Sequence, residues 1–120
     1  MSIQISTELG TIEVEEQVVA TLAGAVAMEC YGLIGMSSRR TMKDGIADIL
    51  RRENLSRGVE VRKQDGMVLI DLYIIVSYGT KISEVAHIVQ ERVKYALDQQ
   101  LGLAVDRVNI YVQGVREVGT

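Results

Sequence analysis

"GVEVRKQDGMVLIDLYIIVSYG", residues 58–79, is the stretch that decides the fold. Two strand-like runs flank Asp65 and Gly66, a residue pair favoured in the two-residue turns that suit twisted antiparallel strands. Such a turn fixes the register of the two strands, because it leaves no spare residue between them. It places Val61 opposite Ile70, and the stretch therefore predicts a β-hairpin.

The second strand of this hairpin, residues 67–77, is apolar on both faces apart from Asp71. A strand that is apolar on both faces is expected near the centre of a sheet. The same register sets Glu60 opposite Asp71, which would be unfavourable for two like charges. Arg62 is the diagonal neighbour of Asp71 and can offset that repulsion. We therefore expect an Arg62–Asp71 pair on the second face of the sheet.

Two longer segments follow helical periodicity. Residues 81–102 form the clearer helix, with an apolar stripe every three to four positions and Gly102 as its stop. Residues 15–30 form the other, whose narrow Ala- and Gly-rich face favours close packing against a sheet or a second helix. Gly32 is expected to end it. These two helices would cover one face of the sheet.

Shorter elements complete the pattern: strands at 9–14 and 105–115, a short amphipathic helix at 43–53, and an apolar segment at 33–38 that is either a strand or a turn. The sequence therefore predicts one domain over residues 1–120, of the α+β class. Its architecture would be two-layer, with a mixed sheet centred on the 58–77 hairpin, two long helices and one short helix.

The composition indicates an ordinary globular protein. The chain has 120 residues, of which 48% are hydrophobic and 24% charged, and a formal net charge of −3. That balance argues against nucleic-acid binding over the whole surface. Cys30 is the single cysteine, so no internal disulfide or cysteine metal cluster can form. With no basic, apolar leader at its start, the chain is expected to be cytoplasmic.

Catalytic and metal-binding patterns are weak. His87 shares a helical face with Glu84 and Glu91, but one histidine and two carboxylates indicate a solvated helix surface more than a metal site. Cys30 lies on an apolar helical stripe, where packing is the more frequent role. Asp71 could transfer protons if buried, although the pair with Arg62 is the favoured interpretation. We therefore expect no catalytic residue, no metal and no cofactor.

A nucleic-acid-binding alternative rests on "GLIG", residues 32–35, which matches the G-x-x-G loop of KH domains. This segment follows a helix and precedes a basic one. Leu33 and Ile34 argue against the alternative, because such a loop exposes polar or basic side chains.

Residues 35–58 hold six of the thirteen cations of an otherwise acidic chain. They flank the predicted short helix and could converge on one rim, as a docking surface for an acidic partner, a phosphate or an anionic lipid. The alternative is a solvated face, in which neighbouring carboxylates neutralise them. The candidate partner-binding residues are Arg39, Arg40, Lys43, Arg51, Arg52 and Arg57.

Four blocks of the chain carry a family resemblance: "GTIEVEEQVVATLAGAVAMECYGLIGM", "KDGIADILRRENLSRGVEV", "DGMVLIDLYIIVSYGTKISEVAHIVQERVKYAL" and "VDRVNIYVQGV". Their succession, from about Gly10 to Val115, resembles the alkaline-shock, or Gls-type, envelope stress response family of mainly Gram-positive bacteria. The resemblance implies a small cytoplasmic protein of cell-envelope homeostasis and general stress, with no assigned catalytic activity.

The resemblance also implies partners. Some members of this family are held at the membrane by a separate anchored protein and self-assemble, and some short members are encoded beside a kinase-like protein of fatty-acid or dihydroxyacetone type. We therefore expect a non-enzymatic interaction protein that forms homo-oligomers or docks to a membrane-tethered partner. Regulation of such a kinase is an alternative. A second candidate interface is the sheet face that carries Arg62, Leu69, Asp71, Tyr73, Asn109 and Tyr111.

Overall fold

The computed structural model describes residues 2–38, 50 and 52–117, without the side chains of residues 52–54. Its elements are β1 (Ser2–Thr7), β2 (Gly10–Glu15), α1 (Glu16–Met28), β3 (Leu33–Met36), the 3-10 helix η1 (Arg52–Gly58), β4 (Val59–Gln64), β5 (Met67–Ser77), α2 (Ile82–Leu101) and β6 (Arg107–Arg116). The protein is an α+β protein with a mixed sheet, as predicted.

Strand β5 is the centre of the main sheet. It pairs in parallel with β6 along one edge, and antiparallel with β4 and then β3 along the other. Asp65 and Gly66 have φ values of 52° and 78°, and they form the two-residue turn that joins β4 to β5. Val61 lies opposite Ile70, so the register predicted for the hairpin is confirmed.

Both described helices pack on the same face of β5. The core there joins alternate β5 residues to the apolar stripe of α2 and the small side chains of α1. Ala and Gly on α1 allow close approach: a Cβ at Gly24 would lie 3.2 Å from the Cβ of Leu55 in η1. Gly102 adopts a left-handed conformation with φ 67° and ends α2 as predicted.

A separate two-stranded sheet lies at the N-terminus. Strands β1 and β2 pair antiparallel over their whole length, and the turn between them ends at Gly10. In the described part of the chain this sheet is hydrogen-bonded to no strand of the main sheet. Ile3 is nevertheless buried in the common core, which anchors one end of the hairpin. The sequence predicted only the second of these strands.

Three segments compare less directly with the prediction. Helix α1 ends at Met28, before Gly32, which has a positive φ of 88° in the turn that follows. In segment 33–38, which the sequence left as either a strand or a turn, residues Leu33–Met36 form β3. The helix predicted at 43–53 lies mostly outside the described residues, and the 3-10 helix at Arg52–Gly58 was not predicted. The two-layer arrangement and the single domain over 1–120 stay predictions.

Candidate contact surface

The basic stretch falls largely outside the described residues. Arg52 begins η1, and Arg57 lies exposed in its last turn. The other four candidate cations lie outside the described residues: Arg39, Arg40, Lys43 and Arg51. Their convergence on one rim therefore stays a prediction.

The second candidate interface is brought together by three strands. We call it the β5 outer face, because its residues lie on the side of β5 opposite the helix-packed core. Parallel pairing with β6 sets Asp71 beside Asn109 and Tyr73 beside Tyr111. Antiparallel pairing sets Arg62 of β4 opposite Leu69. All six residues predicted for this surface therefore lie on neighbouring positions of one face.

Asp71 is the centre of this face. Only 4% of its surface is exposed, and its carboxylate accepts three hydrogen bonds. Arg62 donates two of them, from Nε to Oδ2 at 2.7 Å and from Nη2 to Oδ1 at 3.1 Å. Asn109 donates the third, from Nδ2 to Oδ1 at 2.9 Å. The predicted Arg62–Asp71 pair is confirmed, with a second donor from β6.

This network fixes a cation at the surface. A planar guanidinium bound through two nitrogens has little freedom to rotate. The hydrogen bond to Asp71, and then the negative charge of Asp71, raise the pKa of Arg62 above its ordinary value. The side chain of Arg62 remains 37% exposed. The arrangement thus presents a permanent positive charge in one orientation.

Beside the network, two tyrosines are stacked. The rings of Tyr73 and Tyr111 lie 5.1 Å apart between centroids, at an interplanar angle of 18°. Tyr73 is buried and Tyr111 is 39% exposed. The buried ring of Tyr73 therefore supports the exposed ring of Tyr111. The face presents this ordered aromatic ring next to the ordered guanidinium of Arg62.

Burial on this face bears on whether the strand needs a second copy of the protein as its cover. A strand that is apolar on both faces, with helices on only one side, would need such a cover if its other face were exposed. Leu69, Tyr73 and Ile75 are already buried in the single chain. Leu69 has Arg62 and Arg107 as its neighbours on the adjoining strands, and the aliphatic stems of arginine cover apolar surface well. The outer face therefore gives no apolar reason for dimerisation at these positions.

The described residues offer little to a metal ion. His87 Nε2 and Glu91 Oε1 lie 2.6 Å apart on the exposed surface of α2. Glu84 instead lies 3.7 Å from the ammonium of Lys81. No group of three or more potential His, Cys, Asp or Glu ligands comes together within the described part of the chain.

Cys30 is a packing residue rather than an exposed thiol. Its side chain is buried in the core and directs Sγ toward the carbonyl oxygen of Val26, at 3.6 Å. Burial is the main cause that raises the pKa of the Cys30 thiol. A thiol in such a setting is mostly protonated at neutral pH and a poor nucleophile.

Only Gly32 of the "GLIG" segment lies in a turn. Residues 33–36 form β3, in which Leu33 and Gly35 pair with Val76 and Ile75 of β5. Leu33 is buried in the core. A G-x-x-G motif binds nucleic acid by presenting an exposed loop, so the KH alternative loses the structure that it requires.

The first strand of the N-terminal hairpin was not predicted from the sequence. Its signal was present, since Ile3 and Ile5 alternate with polar residues before Gly10. The turn end of this hairpin is exposed: Leu9 is fully exposed, and Ile12 is 52% exposed.

Among the helices of the described residues, none is both long and apolar enough to span a bilayer.

Known proteins resemble this chain over nearly its full length. "Uncharacterized protein YloU" of Bacillus subtilis (strain 168) is 59% identical over 116 residues, which cover 97% of each chain. "Uncharacterized protein Spy1614" of Streptococcus pyogenes serotype M6 is 45% identical over 119 residues, covering 99% of this chain and 98% of the relative. "Uncharacterized protein YqhY" of Bacillus subtilis is 31% identical over 110 residues, covering 92% and 80%.

One solved structure, "MamM CTD - Copper form", superposes with a TM-score of 0.49 and 15% identity, covering 87% of this chain and 89% of the other. A likeness this low carries no argument. The family match does: residues 4–117 fit the model of the alkaline-shock protein 23 family, described by the words "cell envelope-related function". The resemblance found in the sequence is therefore confirmed, and the chain belongs to the alkaline-shock protein 23 family.

Proposed function

We propose that this protein is a non-enzymatic interaction protein of cell-envelope homeostasis, which docks through its β5 outer face to a protein partner tethered at the membrane. It would act in the cytoplasm and reach the envelope through that partner. The family description supports the envelope role. The proposal includes the two-layer domain expected from the sequence.

The observation that carries the proposal is the pair of held side chains on that face. Arg62 is fixed by two bonds to buried Asp71, and Tyr111 is fixed by its stack on Tyr73. Arg and Tyr are two of the residue types that most often dominate binding energy at interfaces. Side chains that are ordered before binding lose less conformational entropy when a partner arrives.

Photo-crosslinking in the native cytoplasm tests this proposal. A photoreactive phenylalanine analogue replaces Tyr111 in one strain, and Tyr95 of α2 in the control strain. Tyr95 is a matched position because it is also an exposed tyrosine on a regular element. We expect a protein from the membrane fraction to be crosslinked from position 111 and not from position 95. Equal patterns from the two positions would contradict the proposal.

A second variant separates the two candidate surfaces. Arg39, Arg40, Arg51 and Arg52 are changed together to Glu, and crosslinking from position 111 is repeated. Loss of the crosslinked partner would transfer the docking role to the basic stretch, and an unchanged yield leaves it on the outer face. Identification of the captured protein as a fatty-acid or dihydroxyacetone-type kinase would support the regulatory alternative instead.

A further inference from the structure

The N-terminal hairpin, strands β1 and β2, is an unusual element for a small protein. A two-stranded hairpin with no further strand is only marginally stable in water. Here one end is anchored, because Ile3 is in the core and Val14 packs against it. The other end exposes apolar side chains at Leu9 and Ile12. We call this hairpin the arm.

The arm carries charge of one sign. Residues 2–15 contain Glu8, Glu13 and Glu15, and neither a lysine nor an arginine. All three carboxylates are exposed. In the described part of the chain both outer edges of the arm also lack a paired strand, so each presents a row of backbone donors and acceptors.

Strand β6 has the complementary properties. One edge pairs with β5, and its other edge meets no strand among the described residues. It runs for ten residues from Arg107 to Arg116 with no carboxylate between them. Val112 and Val115 are partly exposed along it. Natural sheets usually protect such an edge with charges inside the strand, with proline or with a covering segment.

We propose that the arm of one copy of this protein adds to the outer edge of β6 in a second copy. Backbone hydrogen bonds would extend the main sheet, as in other cases of strand addition. A six-residue strand spans about 20 Å and fits within the roughly 33 Å of a ten-residue edge. The charge complementarity is between the acidic arm and Arg107, which is exposed at the start of β6, whereas the preceding Asp106 uses its carboxylate to accept a hydrogen bond from the Val68 backbone N–H at 2.8 Å.

This inference goes beyond the proposed function, because it concerns a contact between two copies of the chain. The arm meets an edge of the sheet, whereas the membrane-tethered partner would meet the outer face. The two are tested in different preparations: the assembly in the purified protein alone, and the partner in cells.

The test is sedimentation velocity of the purified full chain with reciprocal charge reversals. One variant changes Glu8 and Glu13 of the arm to Lys, and the other changes Arg107 of β6 to Glu. We expect the wild-type chain to associate, and each variant alone to associate at least about tenfold more weakly, because each brings like charges together. An equimolar mixture of the two variants should recover association, since the reversed arm then faces the reversed edge.

Matched variants on α2 control for net charge. Glu91 and Asp98 changed to Lys match the arm variant, and Arg92→Glu matches the β6 variant, at exposed positions. These controls should associate like the wild-type chain. A monomeric wild-type chain, a mixture that fails to recover association, or controls that weaken it equally would each overturn the proposal. None of these results would bear on the crosslinking at position 111.

Discussion

Asp71 is a charged residue in the middle of an apolar strand, and its three hydrogen bonds come from both neighbouring strands. A buried carboxylate is expensive to desolvate unless such donors replace water. The same bonds tie β4, β5 and β6 together at one level of the sheet. The residue thus serves the stability of the sheet and the geometry of the outer face at once.

Changing Asp71 to Ala should lower the free energy of unfolding by about 2 kcal/mol, because charge-assisted bonds at a buried site are lost and the amide of Asn109 loses its acceptor. Asp98→Ala, on the exposed surface of α2, is the control and should change stability by less than about 0.5 kcal/mol. Urea unfolding measures both. Equal losses in the two variants would show that the network stabilises nothing.

The sequence was sufficient for the Arg62–Asp71 pair but not for the contact with Asn109. The pair follows from a two-residue turn, which is local and fixes the register. Asn109 lies 38 residues from Asp71, and its position depends on how α2 carries the chain back to a parallel strand. Periodicity placed Asn109 on the correct face of the sheet. Periodicity alone could not predict which β5 residue Asn109 lies beside.

At the scale of elements, Gly32 shows how β3 and α2 fit together. It has a φ of 88°, and a Cβ built on it would lie 2.6 Å from Cγ2 of Val85 near the start of α2. Gly79 has a similar φ of 93°, and its Cβ would meet nothing within 4 Å. The two glycines therefore share a backbone requirement and differ in packing.

Gly79→Ala should cost about 1 kcal/mol of stability, from the left-handed backbone alone. Gly32→Ala should cost about 2–4 kcal/mol, because overpacking against Val85 is added. Thermal unfolding of the two variants gives the difference. A smaller loss for Gly32→Ala than for Gly79→Ala would mean that α2 does not press on this turn.

The success of prediction also differed between elements. Strand β5 is a long apolar run that follows a recognisable two-residue turn, and helix α2 is long and strongly periodic with a glycine stop. The arm was half missed because β1 is short and its second apolar residue, Ile5, lies in a polar context. Segment 33–36 stayed ambiguous for a related reason: four apolar residues fit a strand or a turn until a partner strand is known.

At the scale of the whole molecule, one core extends from the root of the arm to the end of α2. It includes Ile3 of the arm and Leu97 near the end of α2. The longest dimension of the molecule is 53 Å, about twice the other two. The arm thus has a root inside the core and a tip outside it.

The same substitution at the two sites should separate root from tip. Ile3→Ala should cost about 2–4 kcal/mol, as expected for a large-to-small change at a buried site. Ile12→Ala should cost less than about 1 kcal/mol, because more than half of Ile12 is already exposed. Chemical denaturation compares them. Similar losses for the two variants would mean that Ile12 is buried in solution. Assembly through the arm would bury Ile12 in this way at high protein concentration.

The parallel pairing of β5 with β6 has a consequence during protein synthesis. The hairpin of β4 and β5 is local and forms within microseconds, but β6 emerges only after the residues up to Arg116 have been translated. At about 5–20 residues per second, one edge of an almost wholly apolar strand stays open on the ribosome for roughly 2–8 seconds. Asp71 is the single charge in that strand, and it interrupts the stretch most prone to aggregate. In the nascent chain Asp71 is a gatekeeper before it becomes part of a network.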